Sequence, residues 1–379
     1  MNKHHISFWR LVVPMALLLP LMVPIACTTD AGAGSSDGLP PLVFKVSSDD
    51  LSGELTRGER LNFMSGTFGL LASQYTGSWG YGHEMNFMYN EPVWGSGTEW
   101  QTSRGYFAPD AMYNLKFFAY FPHYEDVTTG IEPIVMSEAD LPGNPSFVYT
   151  MPQNAEEQQD LMYAISDEVH ANAQGRMDTV RLQFHHLLTA VSFATGNSSE
   201  DGYIRRVRLT DIYYRGTFDY GNTAITTSIS AKRDCWADLD LRSRADGSGF
   251  YRADPEKTFL ILPQRNSNGE AALNPNASLI VEYETSGKIY TFTKSLSALK
   301  DALATPGRNI LLRLSVTSVK RMTITATITD WGHGANFDGA VSDQPTIDLG
   351  TAISDWEDKD SNGQSTTVNF TAGPETTNP

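Results

Sequence analysis

Cysteine is nearly absent from this sequence, because only Cys27 and Cys235 occur among its 379 residues. Two cysteines are too few for a disulfide-rich scaffold and supply no thiolate framework for a metal ion. If the thiol of Cys27 is lipidated, Cys235 has no partner for an internal disulfide. The folded chain must therefore be stabilised by burial of apolar side chains, of which the sequence has enough at 40% hydrophobic residues.

Positive charge is also scarce. The chain has 28 Lys and Arg against 44 Asp and Glu, for a formal net charge of −16. A protein that binds nucleic acid needs a basic face for the phosphates, so this balance argues against such a partner. An acidic surface suits solubility outside a cell and favours no specific partner.

Long apolar runs are rare, and the one that stands out is at the N-terminus. Residues 11–26 form a 16-residue apolar stretch that follows a short basic segment and contains three prolines. This is short for a transmembrane helix, and proline inside it disfavours one. Residues 1–26 therefore read as a secretory signal peptide.

The signal peptide ends at Ala26-Cys27, which is similar to the lipobox of bacterial lipoproteins, although Pro24 stands where that motif prefers Leu. We expect cleavage before Cys27 and lipidation (palmitate) of its thiol, with the lipid as the sole contact with a membrane. The alternative is an unmodified cysteine that is lost with the signal. Residues 27–40 are rich in Gly, Ser and Asp and predict a flexible tether.

Helical periodicity is nearly absent from the rest of the chain. Residues 42–47 alternate apolar Leu42, Phe44 and Val46 with their neighbours, and 322–329 set four apolar residues against four threonines. The same period of two recurs over 115–121, 147–151, 258–264, 278–296 and 310–316. Such alternation predicts half-buried antiparallel strands. Residues 295–304 alone look helical. The fold class is predicted to be all-β, built from β-sandwiches.

The strands fall into two groups separated by the polar segment TGNSSEDG, and we place a domain boundary near 197–202. The predicted domains are an N-terminal β-sandwich over 41–198 and a C-terminal β-sandwich over 199–379 with a C-terminal tail. Periodicity is weak after Trp331, and 366–370 could form one last strand.

Two adjacent histidines, His185 and His186, lie within the apolar run 182–196, where the alternation changes register. A β-bulge or a strand that passes from one environment to another would explain that change. Adjacent residues of a regular strand face opposite sides, so the two imidazoles cannot share an ion or a substrate. We expect structural histidines and no metal, cofactor or catalytic residue.

Two other kinds of site stay open at this point. The composition does not exclude a glycosidase carboxylate pair, because carboxylates are plentiful. The aromatic residues of 75–100 could stack on sugars or fill sheet faces.

Several pieces, in this order, resemble the fimbrillin family (Mfa-like, type V pilin) of Bacteroidia lipoproteins. They are LKFFAYFP (115–122), PSFVYTMP (145–152), QQDLMYA (158–164), LQFHHLLTAVSFATG (182–196), FLILPQ (259–264) and NILLRLSVTSVKRMTITATITDW (309–331). The resemblance covers roughly 55–332 and includes no catalytic motif.

The resemblance implies two tandem transthyretin-like β-sandwiches in a lipoprotein exposed on the outer membrane. In stalk subunits of the family an arginine-specific or trypsin-like protease removes the N-terminal strand, and a strand of the next subunit takes its place. Here the cut would fall at Arg57, with Arg60 as the fallback, although a solvated arginine in a turn explains Arg57 equally well. The leading strand 42–47 would fill the groove through Leu42, Phe44 and Val46 until the cut. Val368 and Phe370 would be the donor strand.

We therefore expect a structural subunit of a surface fimbria that supports adhesion, not an enzyme. Its partners would be other pilin subunits, the processing protease, and a host or bacterial surface ligand. The alternative is a surface lipoprotein that binds glycan or host protein without polymerising. In both cases we expect the chain to be exported to the cell surface and to need no cofactor.

Overall fold

The chain folds as an all-β protein in this computed structural model, which confirms the predicted fold class. The structure describes residues 41–48, 66–80, 82–96, 99–172, 176–177, 179–246, 250–330, 346–355, 357–359 and 365–367. Within these ranges the one α-helix is α1 (Lys300–Leu303), at the end of the segment predicted to be helical. No helix in the described ranges is long and apolar enough to cross a membrane.

In the described part of the chain before residue 187 there are ten strands. They are β1 (Phe44–Ser48), β2 (Thr67–Tyr75), β3 (Met88–Ser96), β4 (Glu99–Thr102), β5 (Asn114–Phe121), β6 (Ile134–Met136), β7 (Ser146–Thr150), β8 (Met162–Ile165), β9 (Val169–His170) and β10 (Val180–His186).

Thirteen strands follow among the described residues. They are β11 (Thr189–Thr195), β12 (Gly202–Tyr213), β13 (Arg215–Asp219), β14 (Ala224–Thr227), β15 (Lys232–Ser243), β16 (Phe259–Ile261), β17 (Ser278–Thr285), β18 (Lys288–Ser295), β19 (Arg308–Ser318), β20 (Arg321–Asp330), β21 (Thr346–Asp355), β22 (Glu357–Lys359) and β23 (Ser365–Thr367).

The N-terminal sheet closes on itself. Its strands pair in the order β2-β3-β4-β1-β10-β8-β5, and β5 pairs again with β2, so that seven strands form a ring with β9 attached to β5. Alternate side chains point inward and form an apolar interior, which we call the ring core. Its largest fully buried members include Phe44, Phe68, Trp100, Phe117 and Phe184.

A four-stranded sheet, ordered β14-β13-β7-β6, combines strands from before and after the predicted domain boundary. Its aromatic residues pack on the outer side of the ring. Phe118 of β5 and Tyr220, which follows β13, have ring centroids 5.4 Å apart, and the Tyr220 hydroxyl donates a 2.9 Å hydrogen bond to the carbonyl of Ala119. Phe118 and Tyr220 belong to a second buried apolar cluster, which is separate from the ring core and covers the outer side of the ring.

The C-terminal strands form a nine-stranded sheet in the order β15-β12-β17-β18-β21-β20-β19-β11-β16. The hairpin β17–β18 turns at Ser286-Gly287, where both residues have positive φ. The alternating patterns of 278–296, 310–316 and 322–329 predicted strands in the regions of β17, β18, β19 and β20, and the structure pairs β19 with β20. Strand β11 belongs to this sheet, so the chain changes sheet at 187–188. The division into 41–198 and 199–379 stays a prediction.

Strand β21 was not expected, because the residues after Trp331 show weak periodicity. It pairs with β20 along most of its length and with β18 near its end. Its buried residues, Leu349 and Ala352, are three positions apart instead of two. Gly350 lies between them at φ +77°, where the pairing with β20 shifts register. This irregularity hides the strand from a period-two pattern.

Candidate functional site

The leading strand, β1, lies in the gap between β4 and β10. It runs parallel to β10 over five residue pairs, from Phe44 opposite Val180 to Ser48 opposite Phe184. On its other edge it pairs antiparallel with β4, where Phe44 is opposite Trp100. Both edges of β1 are therefore used for pairing, and β1 closes the ring.

Three side chains of this segment point into the ring core. Leu42, Phe44 and Val46 are only 5%, 0% and 3% exposed, whereas Val43 between them is 41% exposed. These are the residues that the sequence suggests for filling a groove. Their burial follows from the period-two geometry of a strand with one apolar and one solvent-facing side.

The N-terminal end of the segment is tied to the rim of the ring. The Leu42 N–H donates a 2.7 Å hydrogen bond to the Tyr106 carbonyl, and the Val180 N–H donates a 3.3 Å bond to the Val43 carbonyl. The Tyr106 hydroxyl in turn donates a 3.0 Å bond to a carboxylate oxygen of Glu91 in β3. These backbone and side-chain hydrogen bonds thus fix the point at which the leading segment enters the ring.

Removing β1 would leave a slot with a defined chemistry. The facing edges of β4 and β10 would carry unpaired N–H and C=O groups, which is the arrangement that another strand can complete. The aromatic interior would be open to water through the same gap. Phe68 lies there with its ring centroid 5.4 Å from Trp100 and 5.2 Å from Phe184.

Sequence reasoning did not identify the walls of this slot. β4 and β10 lie far from β1 in sequence, and long-range pairing leaves no local signal. For β10 a partial signal exists, because Val180, Leu182 and Phe184 alternate as one apolar face. The burial of Trp100 could not be deduced from the aromatic-rich segment around it.

The two histidines have different surroundings. His186 is buried, and its Nδ1 lies 2.8 Å from Oδ2 of Asp160. His185 is half-buried on the outer surface of the ring, where its ring centroid is 5.5 Å from that of Tyr163. Of the two explanations for the register change, a strand that passes into another environment fits, because β10 ends at His186 and β11 begins in another sheet.

Two of the segments that resemble the fimbrillin family, 158–164 and 182–196, meet in space. Met162 pairs with His186 and Tyr163 with His185 across β8 and β10. The Leu187 N–H donates a 2.8 Å hydrogen bond to the Leu161 carbonyl. Together with the Asp160 contact, these bonds hold the chain where it leaves the ring for the nine-stranded sheet. Their role in the structure is to connect two sheets.

The aromatic residues of 75–100 mostly pack inside the protein. Trp79 donates a 3.0 Å hydrogen bond from Nε1 to Oδ1 of Asn144, and its ring centroid lies 5.4 Å from Phe118. Tyr75 is buried beside it, and burial together with the nearby Glu168 carboxylate raises the pKa of its hydroxyl. These side chains fill a sheet face.

Other predicted sites fall in parts of the chain that the structure leaves undescribed. Cys27, Arg57, Arg60, Val368 and Phe370 all lie outside the described residues. Within the described part, no group of three or more His, Cys, Asp or Glu side chains is placed to hold a metal ion. Cys235 is a buried free thiol.

Comparison with known proteins agrees with this architecture. A family model described as fimbrillin-like matches residues 66–331. Among curated proteins, none matches the chain in sequence. A fimbrial protein from Bacteroides vulgatus superposes with a TM-score of 0.54 at 16% identity, over 76% of this chain and 99% of that protein. At this identity the likeness concerns the fold.

Two further solved structures are more distant. A protein from Bacteroides uniformis, described provisionally as a cell adhesion protein, has a TM-score of 0.48 at 16% identity, over 79% of this chain and 100% of its own. The fimbrial anchor protein Mfa2 of Porphyromonas gingivalis has a TM-score of 0.35 at 11% identity, over 77% and 98%.

Proposed function

The chain belongs to the fimbrillin-like family, and we propose that it is a structural subunit of a cell-surface fimbria that assembles by β-strand addition. A fimbrial or adhesin-type role at the cell surface is what the family supports. The assembly step is our proposal, in which the leading strand β1 is removed and a strand from another subunit takes its place between β4 and β10.

The position of β1 is the observation that carries this proposal. It is the first strand of the described residues, it pairs on both edges, and the segment that follows it in the sequence, 49–65, contains Arg57 and Arg60. A cut there would separate β1 covalently from every strand that surrounds it. Lys45, the one basic residue within β1, is paired into the sheet, so the backbone next to it is protected from a trypsin-like protease.

Energetics explain why the slot would not stay empty. Burying Leu42, Phe44 and Val46 stabilises the fold by roughly 1.5–3 kcal/mol for each side chain. The ladder hydrogen bonds on both edges add about 1 kcal/mol each. Their sum is comparable with the whole stability of a typical domain, about 5–15 kcal/mol. A subunit that has lost β1 therefore needs a replacement strand.

The remaining parts of the proposal concern the two ends of the chain. Lipidation at Cys27 would hold the precursor at the outer membrane through the tether 27–40. Val368 and Phe370, two apolar residues separated by one position, have the spacing of a strand with one buried face. They are our candidates for the donor strand that enters the slot of the next subunit.

The experiment is incubation of the purified precursor with an arginine-specific protease, followed by N-terminal sequencing and SDS gels without heating. We expect a new N-terminus at Gly58, or at Leu61 if Arg60 is cut, and then a ladder of SDS-resistant oligomers. The double variant R57Q/R60Q should stay monomeric, and R104Q, which changes an exposed arginine elsewhere, should behave as the wild type. A chain that remains monomeric after trimming would favour the alternative, a non-polymerising surface lipoprotein that binds glycan or host protein.

A further inference from the structure

A cavity of about 660 Å³ opens on the outer surface of the ring, where β1, β8 and β10 run side by side. Its floor is formed by outward-facing residues of these strands, and Thr223, in the turn between β13 and β14, contributes to the wall. This volume is within the range of small-molecule sites, about 300–1,000 Å³. The fimbrial role proposed above makes no use of this surface.

Two cations lie at one end of the cavity. Lys45 of β1 and Arg181 of β10 are register partners on parallel strands, and both side chains are exposed on the same face. Like charges placed directly opposite each other destabilise a strand pair unless something neutralises them. Among the described residues neither forms an ion pair. The one carboxylate that lines the described part of the cavity, Asp167, leaves a net positive charge on a protein of net charge −16.

Aromatic rings lie at the other end. Tyr163 and His185 are paired across β8 and β10, with ring centroids 5.5 Å apart and ring planes at 41°. The Tyr163 ring also packs on Phe218 from the four-stranded sheet, with centroids 4.7 Å apart, which fixes its orientation from within. A half-buried, immobilised aromatic surface of this kind packs well against the apolar face of a sugar ring.

Hydrogen-bonding side chains fill the distance between the two ends. Gln183 lies between Arg181 and His185 on β10, and its register partner on β1 is Ser47. Side chains two residues apart on a strand are separated by about 6.6 Å, so the cations and the rings are roughly 13 Å apart along β10. This length exceeds one sugar ring. Along the cavity the positive charges come first, the amide and hydroxyl groups follow, and the aromatic surface comes last.

The turn that forms the wall is strained. Thr223 has φ +51°, although it is a β-branched residue for which positive φ is unfavourable. Its hydroxyl donates a 2.8 Å hydrogen bond to the Asn222 carbonyl. Strained backbone of this kind is found at ligand sites more often than elsewhere.

We propose that this cavity binds an acidic saccharide. Its carboxylate would lie between Lys45 and Arg181, since an arginine makes strong charge-assisted hydrogen bonds to carboxylates. Its hydroxyl groups would meet Gln183 and Ser47, and the apolar face of a sugar ring would pack on Tyr163. The ligand would neutralise Lys45 and Arg181, neither of which forms an ion pair with another described residue.

One consequence rests on the proposed fimbrial assembly. Lys45 and Ser47 belong to the leading strand, so removal of that strand would take away one cation and one hydroxyl of the site. The precursor would bind the saccharide, and a trimmed subunit would bind it only if the incoming strand supplied equivalent residues. Binding to the uncut chain does not depend on this step.

The test is a titration of the uncut protein with sialyllactose and with lactose, which differ by one acidic sugar, followed by saturation-transfer NMR. We expect binding of sialyllactose and at least about tenfold weaker binding of lactose, which corresponds to losing one charge-assisted contact. R181Q should weaken sialyllactose binding about tenfold. R242Q, which changes an exposed arginine on β15, should leave it unchanged.

Three outcomes would overturn the proposal. These are equal binding of the two sugars, unchanged affinity in R181Q with an unaltered circular dichroism spectrum, and displacement of sialyllactose by inorganic phosphate at equal concentration. The last would mean that the cavity holds any small anion. Because the uncut chain is used, failure here is separable from failure of strand replacement, which is measured by trimming.

Discussion

Phe44 of the leading strand packs edge to face on Phe117 of β5, with ring centroids 5.5 Å apart and ring planes at 80°. Both side chains are fully buried. β5 is not a sheet neighbour of β1, so this contact crosses the interior of the ring. The leading strand is therefore part of the core as well as part of the sheet.

Replacing Phe44 by alanine should destabilise the uncut protein by about 3–5 kcal/mol, because it opens a cavity in the ring core. Urea unfolding followed by circular dichroism would measure this. The neighbouring V43A, at a 41% exposed position, should change the free energy of unfolding by about 0.5 kcal/mol or less. Equal effects of the two variants would mean that β1 does not fill the ring core.

Replacing His186 by alanine should cost about 3–5 kcal/mol, because it leaves the buried carboxylate of Asp160 without its partner at 2.8 Å. H185A is the matched control, since its half-buried ring contact with Tyr163 is worth about 1 kcal/mol. Thermal melts of both variants at one pH provide the comparison. Comparable losses of thermal stability in the two variants would show that the His186–Asp160 contact contributes no more to stability than the ring contact of His185.

Replacing Gly69 by alanine should destabilise the ring, because a methyl group there would overlap the ring of Tyr120, its register partner on β5. We expect a loss of about 1–3 kcal/mol, as for other overpacked sites. Gly80 has open space at the same point, so G80A should be neutral. A chemical denaturation curve for each variant would measure the difference, and a neutral G69A would contradict the close approach of β2 and β5.

The thiol of Cys235 should be unreactive in the folded protein. Burial raises its pKa to about 12, so it stays protonated at pH 8, and its side chain is inaccessible. Titration with a thiol reagent should find no thiol in the native protein and, if Cys27 is lipidated as proposed, one after unfolding. Two thiols after unfolding would mean that Cys27 is present and unmodified, and one in the native state would contradict the burial of Cys235.

Much of this fold can be predicted from local patterns, because alternation of apolar and polar residues needs no knowledge of distant partners. The segments 115–121, 278–296 and 322–329 show this. Burial of Leu42, Phe44 and Val46 is implied by the same pattern. Strand β21 was missed because the bulge at Gly350 interrupts its alternation.

The candidate sites were less accessible to sequence reasoning. The neighbours of β1, the pairing of Lys45 with Arg181, and the contact between Asp160 and His186 all join residues that are far apart in sequence. Nothing in the local pattern of 42–47 reveals that β10 runs parallel to it. For the same reason the cavity beside Tyr163 was not anticipated.

The most direct test of the account is the composition of the assembled form. Mass spectrometry of SDS-resistant oligomers, formed after cleavage by an arginine-specific protease, would show which residues each subunit retains. Our account predicts oligomers of chains that begin at Gly58 or Leu61 and contain no peptide from residues 41–48. Oligomers that still hold that peptide, or trimmed chains that keep it bound and remain monomeric, would contradict replacement of the leading strand.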